Sequence, residues 1–351
     1  MPATLTEPTL VALAGLFGGI LLGLAARLGR FCTLGALEDA LYGNSTMRLR
    51  MWGVAIGVSV IGTFSLSAMN LLDLGDTLYL SQRWNPLASL SGGLVFGYGM
   101  ALAGNCGYGA LARAGGGDIR SFVIVLVMGM SAYITLGGPL AAPRISLFGG
   151  PQEAASQQSI ATFVSAQSGL STEAIGIALG LLILIATLSN RAFVSSRKHV
   201  IWGAVAGVAI VSGWAGTAWV LAHGFAATSV VSHTFSAPIG QTILYMMTSS
   251  GNAISFAAGS VFGVLLGAFL GSLIKGQFRW EACEDPRELR RQILGAALMG
   301  AGAVVAVGCS VGQGLSAFSV LAFSAPVTLL AIIGGAALGL RHLIEGFAVR
   351  Q

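Results

Sequence analysis

Gly104-Asn105-Cys106-Gly107-Tyr108-Gly109 breaks one apolar run of this chain, and Gly308-Cys309-Ser310-Val311-Gly312 breaks another, 203 residues further on. A third break, Gly29-Arg30-Phe31-Cys32-Thr33-Leu34-Gly35, lies near the start. Each falls roughly at membrane depth, where irregular backbone is tolerated only if it is buried in protein or lines a cavity. Three thiols at three such breaks imply a thiol-lined path across a membrane.

The composition agrees. Hydrophobic residues make up 55% of the 351 residues and charged residues 9%, where a soluble domain carries about a quarter charged. Mean hydropathy is +0.81. The fold class expected is an all-α polytopic membrane protein. The 51 glycines lie inside apolar runs, where they let helix backbones approach closely. Gly259, Gly263, Gly267 and Gly271 recur every four residues and form a groove for a neighbouring helix. The first basic residue, Arg27, follows the first apolar run. A secretory signal would carry its positive charge before that run, so 9–27 is read as a retained span.

Runs of about 20 apolar residues are long enough to cross. Nine are expected: 9–28, 48–72, 88–105, 120–138, 173–189, 200–222, 253–274, 291–308 and 325–342. Four shorter segments, 32–43, 106–114, 236–249 and 310–321, are too short to cross and are read as intramembrane helices. With nine crossings, 16 of the 18 basic residues fall on one side, leaving Arg83 and Arg144 on the other. Cytoplasmic loops carry the excess of Lys and Arg, so the N-terminus is expected outside and the C-terminus inside. The net charge of +5 follows from this topology and implies no nucleic acid. The polar stretch 139–171 lies outside and is read as a linker rather than a lid.

A shift of 203 residues lays Gly92, Gly97, Gly99, Cys106 and Gly109 on Gly295, Gly300, Gly302, Cys309 and Gly312. A weaker match at a shift of 205 lays Cys32 on Ala237 and Gly35 on Gly240. Spans one to four then correspond to spans six to nine, with span five as an odd connector that inverts the second half. The division expected is 1–140 for the first repeat, 141–194 for the external loop and connector, and 195–351 for the second repeat. Inverted repeats with broken helices at the midplane build many transporters, and helix N-termini aimed at the centre favour anions.

The cysteine motifs, with Gly-Ala-Leu-Glu-Asp after Cys32 and Ala-Arg-Ala-Gly-Gly-Gly-Asp after Cys106, resemble the YeeE/YedE family of sulfur-transport membrane proteins over about residues 8–345. The resemblance implies nine spans with four short intramembrane helices, two inverted halves and an hourglass shape. It implies uptake of thiosulfate, a small sulfur-containing anion, across the bacterial inner membrane. Some relatives are suggested to handle selenium or other sulfur species. It also implies that the membrane cysteines, here Cys32, Cys106 and Cys309, line the waist and contact the substrate. The family makes a small cytoplasmic sulfur carrier or sulfurtransferase a plausible partner, for which the basic loop 275–291 offers a dock. The loop 139–171 does not match the family pattern.

Weighed one by one, the residues keep alternatives. A buried free cysteine is commonly a small hydrophobe, and a resting disulfide would close the waist. A metal site wants three or four Cys, His or carboxylate ligands, and no histidine is near these motifs in sequence; no metal or other cofactor is expected. A neutral thiol is a weak donor that can pass an anion on without trapping it or changing covalently. Asn105 and Gln313 flank the motifs and either donate to the anion or cap helix ends. Glu38 and Asp39 are intramembrane acids or interfacial partners of Arg48 and Arg50, the second being the favoured reading. Arg113 and Asp118 are expected at the cytoplasmic mouth, and Tyr108 gates or packs. His223 and His233 are read as solvated loop residues, and Cys283 as incidental. The competing class is a membrane thiol oxidoreductase, which would want a Cys-x-x-Cys pair that the chain lacks. No nucleotide-binding Gly-x-x-x-x-Gly-Lys-Ser/Thr motif is present, and an enzyme is not expected.

Overall fold

The computed structural model describes residues 6–150, 158–224, 229–281 and 285–345. Among these the chain is helical throughout, with no strand. The helices are α1 (Glu7–Gly29), α2 (Thr33–Leu41), α3 (Met47–Ala68), α4 (Leu78–Ser81), α5 (Pro86–Ala103), α6 (Gly107–Ala114), α7 (Ile119–Leu136) and α8 (Ala141–Phe148). They continue as α9 (Ile160–Ser168), α10 (Thr172–Leu188), α11 (Arg191–Ser195), α12 (Arg197–His223), α13 (Ser236–Thr248), α14 (Phe256–Ile274), α15 (Pro286–Val305) and α16 (Ser324–Glu345). A helical segment at 310–319, π-helical over Gly312–Ala317, precedes α16.

Helices occupy all nine expected stretches, and the four shorter segments coincide with α2, α6, α13 and 310–319. Length and apolarity alone qualify seven described helices to cross a membrane, or eight if the bent pair α9–α10, with its 118° turn, is one span. Of the other candidates, α10 has 17 residues, and α15 opens on the charged Pro-Arg-Glu-Leu-Arg-Arg. Boundaries follow capping chemistry. Asn85 accepts from the Leu87 and Ala88 N–H groups ahead of α5, with Pro86 at its first position. Asp118 accepts from Arg120 and Ser121 ahead of α7. Both satisfy N–H groups that a helix start leaves open.

Glycine contacts set the packing. A Cβ on Gly259, Gly263 or Gly267 would strike the carbonyl of Ala12, Leu16 or Ile20 in α1. The expected groove on α14 is therefore filled by α1, backbone against backbone. Across α5 and α15, Gly92 faces Gly302 and Gly99 faces Gly295. The main neighbours are α1 with α14 and α12, α3 with α12 and α10, α5 with α15 and α16, and α7 with α15 and α13.

The stretch 139–171 is corrected, over its described parts, from a linker to two short, largely exposed helices tethered by hydrogen bonds. It forms α8 and α9. The Asn85 side chain donates to the Phe148 carbonyl at 2.8 Å, and the Trp84 N–H donates to Gln158 at 2.7 Å. Ser159 donates to the Val320 carbonyl at 3.0 Å. Open carbonyls at helix ends need partners, and this segment supplies them. Cys283 lies outside the described residues.

If this glycine packing holds α1 to α14, Gly263→Leu should lower stability by at least about 1–3 kcal/mol, the usual cost of overpacking. Gly137→Ala, where a Cβ meets open space, should be near neutral. Thermal unfolding of the purified protein in detergent compares the two.

Candidate functional site

All three breaks are built alike. Each ends with a cysteine at the N-cap of a short helix and a glycine three residues on: Cys32 and Gly35, Cys106 and Gly109, Cys309 and Gly312. The Gly109 N–H donates to the Cys106 sulfur at 3.4 Å, and the Gly312 N–H to the Cys309 sulfur at 3.4 Å. The Cys32 thiol lies beside the Gly35 amide without a full cap bond. A thiol thus stands where serine or aspartate usually accepts, directly at the positive end of each helix.

The tertiary fold brings these ends together. The Cys32 and Cys106 thiols adjoin, and the Ser310 hydroxyl lies next to Cys106. Thr234 Oγ1 is 3.6 Å from the Cys309 sulfur, with the Tyr79 hydroxyl beside it. Cys106 and Cys309 are buried and Cys32 nearly so; all three are free thiols. The buried hydroxyls of Thr33 and Ser236 have no hydrogen-bond partner among the described residues. Leaving a buried hydroxyl unpaired costs about 1–3 kcal/mol, and each such group calls for an explanation. A polar guest arriving at the thiols is one.

A cavity of about 410 Å³ lies next to this centre, lined by Tyr79, Thr234, Gly308 and Gln313 and also by Trp84, Arg144 and Phe148. Aromatic rings pack around the thiols. Phe31 stacks on Trp52 at 4.6 Å, Tyr108 meets Phe31 at 6.4 Å and Phe235 at 5.4 Å. The Tyr108 hydroxyl donates to the Leu22 carbonyl at 2.6 Å, so in this state it packs.

The turn that carries Cys309 is strained. Val307 has φ 54° and Gly308 φ 150°. At the matching place in the first half, Gly104 has φ 74°, which costs a glycine little but is an outlier for a β-branched residue. Gln313 clamps this turn: its Nε2 donates to the Ala306 and Val307 carbonyls at 3.0 and 2.9 Å, and its Oε1 accepts from Ser324 at 3.2 Å. Gln313 thus caps the end of α15 in this state. Asn105 is buried beside Cys106, near Gly109.

His233 is corrected from a solvated residue to a fully buried one. It is packed between α1 and α14, with its Nδ1 2.6 Å from the Ser260 hydroxyl. The apolar neighbours Phe235 and Phe256 cover it, and its chain distance from any motif hid this. His223 is exposed and stacks on Trp219. Asp39 pairs with Arg48 at 3.4 Å, as the interfacial reading expects, and Glu38 is exposed. Asp118 caps α7 and pairs with Arg120 at 3.6 Å, while Arg113 is exposed at the end of α6.

Tyr79, Thr234, Ser236, Thr33 and Ser310 escaped the sequence reading. The last two sit next to motif cysteines and the shared Cys-x-x-Gly spacing could have drawn attention to them. Tyr79 and Thr234 carry no local signal.

Residues 28–338 match the family model described as "Sulphur transport". The chain belongs to the sulphur transport family. The resemblance read from the cysteine motifs is thereby shown, and the protein is a multi-pass membrane transporter rather than an enzyme. It is similar to the thiosulfate transporter TsuA of Escherichia coli, at 27% identity over 338 residues that cover 92% of each chain. It is also similar to the thiosulfate transporter TsuA of Spirochaeta thermophila, at 25% identity over 317 residues, covering 88% of this chain and 92% of the relative. The candidate site of this sulphur transport family member is a set of helix starts bearing thiols within a helical membrane body.

Gln313→Ala should destabilise the protein by roughly 1–3 kcal/mol for each carbonyl left bare. Val307→Gly should recover part of that loss by relieving the left-handed strain. Melting temperatures of both single variants and the double variant in detergent test the pair.

Proposed function

We propose that this protein takes up thiosulfate, or a closely related sulfur-containing anion, across the bacterial inner membrane through a waist lined by Cys32, Cys106 and Cys309. The observation that carries the reading is the meeting of three helix starts that each bear a cysteine, two of them capped by its sulfur, with unpaired buried hydroxyls nearby. A bare dianion in low dielectric is prohibitively costly without compensation. Backbone N–H groups at helix N-termini supply partial positive charge, and weakly donating thiols let the ion move on. The ion enters by the cavity, reaches Cys309 with Thr234 and Tyr79, then passes Ser310, Cys106 and Cys32 without permanent covalent change. Asn105 borders this path.

The architecture that serves this function is two inverted halves, 1–140 and 195–351, around a connector at 141–194, with nine spans and four short helices. Helix neighbours support it, because they exchange under the repeat. The pair α1–α14 corresponds to α12–α3, and α5–α16 to α15–α7. The contacts Gly92–Gly302 and Gly99–Gly295 are the same contact in swapped roles. The basic asymmetry supports an external N-terminus and a cytoplasmic C-terminus, with Arg83 and Arg144 lining one cavity on the outer side. A small cytoplasmic sulfur carrier would receive the ion near the basic loop 275–291.

Uptake of thiosulfate by cells lacking other sulfur uptake tests the reading, with sulfate and selenite as controls. Wild-type protein should support uptake, and Cys106→Ala should lower it at least about tenfold, the equivalent of one hydrogen bond to a charged group. Equal uptake by both would sink the thiol path. Uptake by neither would move the substrate to another sulfur or selenium compound.

A further inference from the structure

We infer that Arg144, carried on α8, makes the cavity mouth selective for anions and sets how readily they are captured. The inference deepens the proposed function, since it rests on reading the cavity as the substrate's entrance.

The described wall of the cavity holds two charged side chains, Arg83 and Arg144, and no aspartate or glutamate. Its wall also includes Gly308, next to Cys309. Arg144 caps carbonyls at the end of α7, and its charge also stands beside a largely apolar pocket. It creates a local potential that concentrates small anions, because low-dielectric walls focus the field.

Arg144 is held for this task. α8 follows α7 after a short turn, and the guanidinium returns to the end of α7: Nε donates to the Thr135 carbonyl at 3.1 Å and Nη2 to the Leu136 carbonyl at 3.5 Å. The far end of α8 is tied to the start of α5 by the Asn85 bond to Phe148. α8 therefore links the end of α7 to the start of α5 and fixes the charge beside the cavity. No carboxylate pairs with Arg144 among the described residues. A guanidinium has five N–H donors, and the two carbonyl bonds leave others for an oxyanion. The ligand class is a small oxyanion, with a dianion favoured over a monoanion because it gains twice from the same potential.

Gln241 also lines the cavity and is exposed, so Gln241→Cys gives a reporter that needs no knowledge of the substrate. In full-length protein purified in detergent, modification at position 241 by an anionic and by a cationic methanethiosulfonate is followed by peptide mass spectrometry. The anionic reagent should react faster at low salt. The anionic-to-cationic rate ratio should fall at least about threefold when Arg144→Gln is added, and Arg144→Lys should retain it. With Arg144 intact, the ratio should shrink as ionic strength rises, a readout that needs no arginine variant to fold. An unchanged ratio in Arg144→Gln, or a salt-independent ratio with Arg144 intact, overturns the inference. In cells, Arg144→Gln should raise the KM for thiosulfate with little change in maximal rate. Thiosulfate uptake absent from wild type, with the labelling ratio still dependent on Arg144, would overturn the substrate and leave the anion-selective mouth standing.

Discussion

Open backbone cannot be left to lipid. Each unsatisfied N–H or carbonyl in hydrocarbon costs several kcal/mol, so a helix broken at membrane depth must find its partners inside the protein. In this chain the partner at two breaks is a cysteine sulfur that accepts from the glycine three residues on. The cap and the proposed contact point for the anion are thus one group. A serine would cap more strongly and hold an anion more firmly; a thiol does both weakly, which suits a path along which nothing should stay.

The breaks need close neighbours, and glycine supplies them. With helices touching backbone to backbone at α1–α14 and α5–α15, the short helices are walled in and their N-termini converge. Strain collects at the same place: Val307 holds a left-handed turn beside Cys309, clamped by Gln313. Strain of this sort persists only where the surroundings over-determine it. The unpaired hydroxyls of Thr33 and Ser236 lie in the same region.

The stretch 139–171 shows how local composition misleads. Its prolines, glutamines and serines read as a linker, yet α8 and α9 tie down the ends of α5 and α7 and the loop before α16 through side-chain bonds to backbone. Polar residues in a membrane protein mark what faces water or what satisfies helix ends, and composition does not separate the two. His233 was misread for the same reason: one histidine between α12 and α13 gives no sign that α1 and α14 close over it.

The sequence alone determined the all-α membrane class, the positions of the three breaks, the short helices after them, the glycine faces and the family. All of these are set by local hydropathy, by spacing along one segment, or by motifs of a few residues. Tertiary structure decided what surrounds the thiols. Thr234 reaches Cys309 from 75 residues away, Ser310 reaches Cys106, and Arg144 comes to the same cavity as Gly308 and Tyr79. Such meetings depend on how helices cross, and crossing is fixed by the sum of many packing contacts rather than by any pattern within one helix.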